Sequence, residues 1–363
     1  METLVYSRPE LLAQHDYAAP HEAAGYRLHG GFAPDGAYVP PRTLYRWPAV
    51  RAWQRRLRER GWPLIDADRT LLRAGPYPSY AQQKLLLTNG LGQTLWNSLT
   101  ITGLIEARGA LLIDLPAPDF QKIFLEDLGE TAVGHLNKGL LTAHGMDEGG
   151  DPATRLGAHD AMWFAVRDLA FGKDAYPLPE VPATISRPDA GRLAPRIPLG
   201  HEQMLALLMN VLMIEVRAAN VFEFVLRLLR DAELFADRRA EVDLAAQMVE
   251  RIRADEEIHV AYLQTALSEM RSFTVATVDG GALPGAELVD PMWATMVHWH
   301  AVENPRLTRE ALRPALHERI RAQPRGDDLL RRFAALEEPL EGDHSPLLQH
   351  IENGCFAFPG DHF

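Results

Sequence analysis

Cysteine is almost missing from the chain: Cys355 stands alone among 363 residues. No intrachain disulfide and no cysteine-ligated zinc or iron–sulfur site can form. Lysine is scarce as well, being confined to Lys84, Lys122, Lys138 and Lys173, so the positive charge is almost all arginine. Acidic residues outnumber basic ones by 49 to 37, a formal net charge of -12. That balance argues against a duplex-binding surface, and no DNA partner is expected. Long apolar runs are lacking too. The most hydrophobic stretch, residues 204–216, is too short to span a bilayer and carries Asn210 and Glu215. The N-terminus shows no charged segment followed by an apolar one. These features predict a cytoplasmic protein without membrane contact. Gly90-Leu91-Gly92 lacks the third glycine of a dinucleotide loop, and no Gly-Lys-Ser/Thr phosphate loop exists. The His-Glu pairs at His21 and His201 lead to no second histidine, so a zinc-protease helix is excluded.

Helical periodicity is what the chain does have. Strand-type alternation is scarce, and the expected fold is mostly α. Residues 1–80, rich in Pro, Gly and Tyr, read as a wrapping segment with one short helix near residues 48–60. Residues 81–272 read as a helical bundle. Its first two helices are parted by Leu115-Pro116-Ala117-Pro118, a helix stop and restart. Residues 155–172 read as helical, and two long helices follow over 201–234 and 238–272. Residues 273–363 read as a helical extension with a Gly-rich entry.

Burying a carboxylate costs several kcal/mol unless something compensates it, so a glutamate on an apolar stripe is informative. Three helices carry one. Glu106 aligns with Leu95, Leu99, Thr102, Ala110 and Ile113; Glu215 aligns with Leu208, Val211, Ala219 and Phe222. Glu256 and His259 continue the stripe of Val242, Ala245, Val249, Ile252 and Leu263. Glu223 falls instead on a polar arc with Asn210, Arg217, Asn220, Arg227 and Arg230, and reads as a surface residue. Glu215 and Glu256 lie about equally far from the turn that joins their helices, hence at one depth in an antiparallel pair. Inward glutamates at matched depth, with histidine one turn beyond Glu256, suit a dinuclear metal site. A buried salt-bridge network without metal is the competing reading. Six further histidines, His29, His144, His159, His201, His298 and His300, read as hydrogen-bonded groups, not ligands.

The run Asp255-Glu256-Glu257-Ile258-His259 resembles the Asp-Glu-x-x-His of the ferritin-like di-iron carboxylate superfamily of oxidases and oxygenases, over residues 81–272. The resemblance implies a four-helix bundle holding two iron ions, with manganese or a mixed Mn/Fe pair as variants. By it Glu106, Glu215, Glu256 and His259 would be ligands. The second helix departs from the pattern. Glu130 and His135 stand five apart where a Glu-x-x-His is expected, and they would share a face only across a π-type bulge between Gly129 and Gly139. The implied activity is O2-dependent oxidation of a small substrate, with an electron-donor protein and a homodimer as candidate partners. A ferritin-like scaffold or binding protein and an RNA-modifying hydroxylase of the same superfamily are the alternatives.

Overall fold

The computed structural model describes residues 3–72, 74–183, 186–188 and 191–337. Cys355 and the end of the expected C-terminal extension lie outside them. The fold is mostly α, as the periodicity predicts. Helices α1 (Arg8–Leu11) and α2 (Arg46–Glu59) belong to the N-terminal segment. Then come α3 (Tyr80–Thr88), α4 (Gln93–Gly109), α5 (Leu141–Gly149), α6 (His159–Phe171), α7 (Leu199–Leu229) and α8 (Arg239–Ser272), with α9 (Gly285–His298), α10 (Asn304–Arg321) and α11 (Gly326–Ala335) closing the described chain. Three two-stranded antiparallel hairpins decorate it: β1 (His21–Ala23) with β2 (Tyr26–Leu28), β3 (Gly31–Phe32) with β4 (Tyr38–Val39), and β5 (Thr274–Ala276) with β6 (Ala282–Pro284).

Four helices surround the interior. Helix α4 packs on α6, α6 on α8, and α8 on α7, while α4 and α7 barely touch one another. Helix α7 is the one described helix long and apolar enough to cross a bilayer, and half of that stretch is buried against the rest of the protein. The polar arc assigned to α7 is only partly solvated. Asn210 is buried, donating to Ser186 Oγ (3.0 Å) and accepting from His300 Nε2 (3.0 Å). Arg217 donates to Asn304 Oδ1 (2.8 Å), His300 Nδ1 and the His300 carbonyl (2.9 Å each). A π-type turn over residues 299–303 and the start of α10 cover that arc, which a single-helix wheel cannot foresee. Glu223 stays at the surface, paired with Arg69.

The expected second bundle helix is the main correction. Residues 119–140 form no regular helix. There are 3-10 turns at Phe120–Lys122 and Val133–His135, then a π-type turn over Leu136–Leu140 in which Gly139 takes φ 133°. Only α5 is regular, and it is short. Gly109 and Gly145 explain its position. A β-carbon on Gly109 would stand 2.4–2.5 Å from the Glu148 side chain, and one on Gly145 would stand 2.7 Å from the Ile113 nitrogen. These two glycines let α5 lie against the end of α4, with Glu148 turned inward beside Glu106. Gly150, at φ 68°, then ends α5, and a tight turn returns the chain into α6.

Candidate metal centre

Seven donor residues from five helices meet in the interior. The ligand atoms of His144, Glu148, Glu215 and His259 lie within 4.8 Å of one another, as do those of Glu106, Glu148, His159 and Glu256. Glu148 belongs to both groups. All seven are buried except Glu106, which is half-buried.

Each histidine shows one ring nitrogen to Glu148 and ties the other outward. His159 Nδ1 lies 3.4 Å from Glu148 Oε1 and 3.0 Å from Glu256 Oε1, while its Nε2 donates to Asp255 Oδ2 at 3.2 Å. His259 Nδ1 lies 3.2 Å from Glu148 Oε1 and 2.6 Å from Glu256 Oε2, while its Nε2 donates to Asp147 Oδ2 at 3.1 Å. His144 Nε2 lies 3.4 Å from Glu148 Oε1 and 3.1 Å from Glu215 Oε1, while its Nδ1 donates to the Tyr262 hydroxyl at 2.8 Å. An outward N–H given to a carboxylate or oxygen fixes the tautomer and leaves a lone pair directed inward, the arrangement that metal-ligating histidines need.

The outer partners are themselves braced. Asp147 accepts from Arg42 Nε (2.7 Å) and Arg46 Nη2 (2.5 Å), both buried side chains of the N-terminal segment. Asp255 Oδ2 accepts from His29 Nε2 and the Tyr38 hydroxyl, each at 3.0 Å. The wrapping segment therefore reaches into the interior and orients the histidines indirectly.

Three buried atoms in the middle make no hydrogen bond: Glu148 Oε1, His159 Nδ1 and Glu256 Oε1. Buried polar atoms are normally satisfied, so three orphans facing one another ask for a partner. A divalent cation meets the need, since nitrogen and oxygen donors of this kind suit iron and manganese. The charge agrees. Glu106, Glu148, Glu215, Glu256, Asp147 and Asp255 face Arg42 and Arg46. The surplus of four carboxylates matches two divalent ions.

Protons must otherwise supply that charge. Burial, with the neighbouring Glu148 charge, raises Glu106 well above the ordinary carboxyl range. Burial and Glu256 push Glu215 up to about 8. Burial alone would lower the three imidazoles, but the surrounding oxygens reverse it. His144 and His159 end well above the ordinary histidine value and His259 at about 10. Burial opposes ionisation of Glu148 and Asp147 as well. His159 beside the former, and Arg42 and Arg46 beside the latter, hold both well below the usual range.

Of the six residues expected from the sequence, Glu106, Glu215, Glu256 and His259 come together. Glu130 and His135 do not join them. Glu130 is half exposed at the surface and pairs with Arg56. His135 is buried elsewhere: its Nε2 accepts from the Tyr6 backbone N–H (2.9 Å) and its Nδ1 donates to the Thr131 carbonyl (2.7 Å), which uses both nitrogens. The backbone there is irregular, as the Glu-to-His spacing requires, but the irregularity seats the N-terminal segment at Tyr6 and collects no ligands. Glu148, His144 and His159 take the expected places. The signal for them was Asp147-Glu148, a second copy of the Asp255-Glu256 pair with a histidine one turn away. Each pair turns its glutamate inward and uses its aspartate to brace a histidine of another helix. Comparison of the chain with protein-family models, with curated proteins and with solved structures gives no match.

Proposed function

We propose that this protein is a non-haem di-iron oxidase or oxygenase of ferritin-like type. The observation that carries the reading is Glu148, a buried carboxylate shared by two overlapping donor groups and faced by three histidines whose outer nitrogens are all tied away. His144, Glu215 and His259 would hold one ion, Glu106, His159 and Glu256 the other, and Glu148 would serve both. Iron bound by such carboxylates and imidazoles supplies the redox chemistry for activating O2.

The protein's own groups do the rest. Asp147, Asp255 and Tyr262 hold the imidazoles in one tautomer and orientation. Arg42 and Arg46 keep Asp147 ionised in a site closed to water. Burial of all donors except Glu106 limits access to one side. A small-molecule substrate and an external electron donor belong to the same reading. The donor set differs from the Glu-x-x-His pattern of the resemblance, because the role of the second helix is divided between α5 and α6.

Elemental analysis of protein purified without chelators, with an absorption spectrum before and after air, tests the reading. Two iron ions per chain are expected, with a ligand-to-metal band appearing on oxidation. Manganese at the same stoichiometry would keep the site and change the metal. Protein that stays metal-free after anaerobic Fe(II) addition would leave a protonated salt-bridge network instead.

A further inference from the structure

We propose that the two ion positions are unequal: the His159 position fills first and accepts manganese as well as iron, while the His144–His259 position fills second and discriminates against manganese. The inference rests on the metal reading above. The donors divide unevenly. Glu106, His159 and Glu256 bring one nitrogen to their position, whereas His144, His259 and Glu215 bring two to theirs, with Glu148 common to both. Imidazole suits iron, and carboxylate oxygen suits manganese.

The surplus negative charge is uneven too. Around the His159 position stand Glu106, Glu256 and Asp255, and Asp255 accepts from His29, Tyr38 and His159 but pairs with no arginine among the described residues. Around the other position stand Glu215 and Asp147, and Asp147 is matched by Arg42 and Arg46. Two guanidinium charges balance two carboxylates there, while the three around His159 go unbalanced. A cation is drawn more strongly to the unbalanced side, because opposite charges attract far more in a buried site than in water. Readiness differs in the same sense. Of the three orphan atoms, His159 Nδ1 and Glu256 Oε1 belong to the His159 position alone, and Glu148 Oε1 is shared. His144, His259 and Glu215 contribute none. The rings of His144 and His259 instead lie stacked, 3.9 Å between centroids and 11° from parallel. An imidazole lone pair lies in the plane of its ring, so one ion cannot meet both rings until one of them tilts. The double-histidine position needs a rearrangement that the His159 position does not.

Anaerobic titration of metal-free protein with Mn(II) alone tests this, free Mn(II) being read from its electron paramagnetic resonance signal. The same protein is titrated with Fe(II) against a chromogenic chelator. Two equivalents of Fe(II) should bind. One equivalent of Mn(II) should bind tightly and the second at least about tenfold more weakly. His144→Gln should lose the second ion only, keeping the tight Mn(II) equivalent within about threefold of wild type, whereas His159→Gln should lose the tight one. Two Mn(II) ions of equal affinity in the wild-type protein would overturn the proposal, and that measurement needs no variant to fold. So would loss of the tight equivalent in His144→Gln protein whose circular dichroism matches wild type, or its retention in His159→Gln. Two ions of equal affinity would leave the metal reading intact, whereas protein that binds neither metal refutes both.

Discussion

Two Glu–His pairs stand out in this sequence, and they end in different places. Glu256 and His259 lie in α8, a regular helix of 34 residues, and meet the donors of four other helices. Glu130 and His135 lie in a stretch of turns; one faces solvent and the other holds down the N-terminal segment at Tyr6. A helical wheel transmits direction only while the backbone stays helical. Over α8 the register persists from Val242 to Leu263, so each residue's side of the helix follows from its number. Between Gly129 and Gly139 the register restarts twice.

Substitution at the shared carboxylate should separate the two regions most sharply. Glu148→Ala is expected to abolish binding of both ions, whereas Glu130→Ala should keep full stoichiometry by elemental analysis. Metal loss in Glu130→Ala equal to that in Glu148→Ala would erase the distinction. Next in size is the brace behind His259: Asp147→Asn should weaken metal binding by roughly 10–100-fold, measured by competition with a chromogenic chelator. An unchanged affinity would mean that Arg42 and Arg46 serve the fold and not the imidazole.

Acidity sharpens the comparison further. With Glu215 at about 8 and His259 at about 10, both carry protons at neutral pH when no ion is bound. Donors must shed protons to bind a metal, so affinity should rise as pH rises from 6 to 8, with protons released. Calorimetry in two buffers of different ionisation enthalpy reads that release. Affinity independent of pH, with none released, would contradict the buried, proton-filled cluster.

His135 should affect stability alone. Removing its ring leaves the buried Tyr6 N–H and Thr131 carbonyl without that partner, so His135→Ala should cost on the order of 1–3 kcal/mol in denaturant unfolding, with metal content intact. Smallest is Glu130 itself. Its surface pair with Arg56 should contribute less than about 1 kcal/mol, and Glu130→Ala should unfold close to wild type.

How much of the site was legible follows from the same physics. Glu106, Glu215, Glu256 and His259 were readable because α4, α7 and α8 are long and their apolar stripes unambiguous. Glu148 and His144 were hidden in a nine-residue helix flanked by glycines, too short to show a period of its own. His159 opens α6, where a lone histidine before an apolar stripe looks like an ordinary buried polar group. Arg42 precedes α2 and Arg46 opens it, and both reach the interior only through tertiary placement, which no periodicity reports. The covering of Asn210 and Arg217 by residues 299–304 was invisible for the same reason.

The bracing of the histidines has a consequence for biosynthesis. His29 and Asp255 touch across 226 residues of chain, and Arg42 and Arg46 meet Asp147 only after α5 has been made. Synthesis runs from the N-terminus, and contacts this distant in sequence form late. A nascent chain that ends before α8 lacks Glu256 and His259 as well as Asp255 and Tyr262, the braces of His159 and His144, and offers a passing cation an incomplete cage. On the proposed metal reading, capture would be deferred until the chain has folded around its own beginning, so an ion would enter a finished enclosure and would have no part in nucleating it.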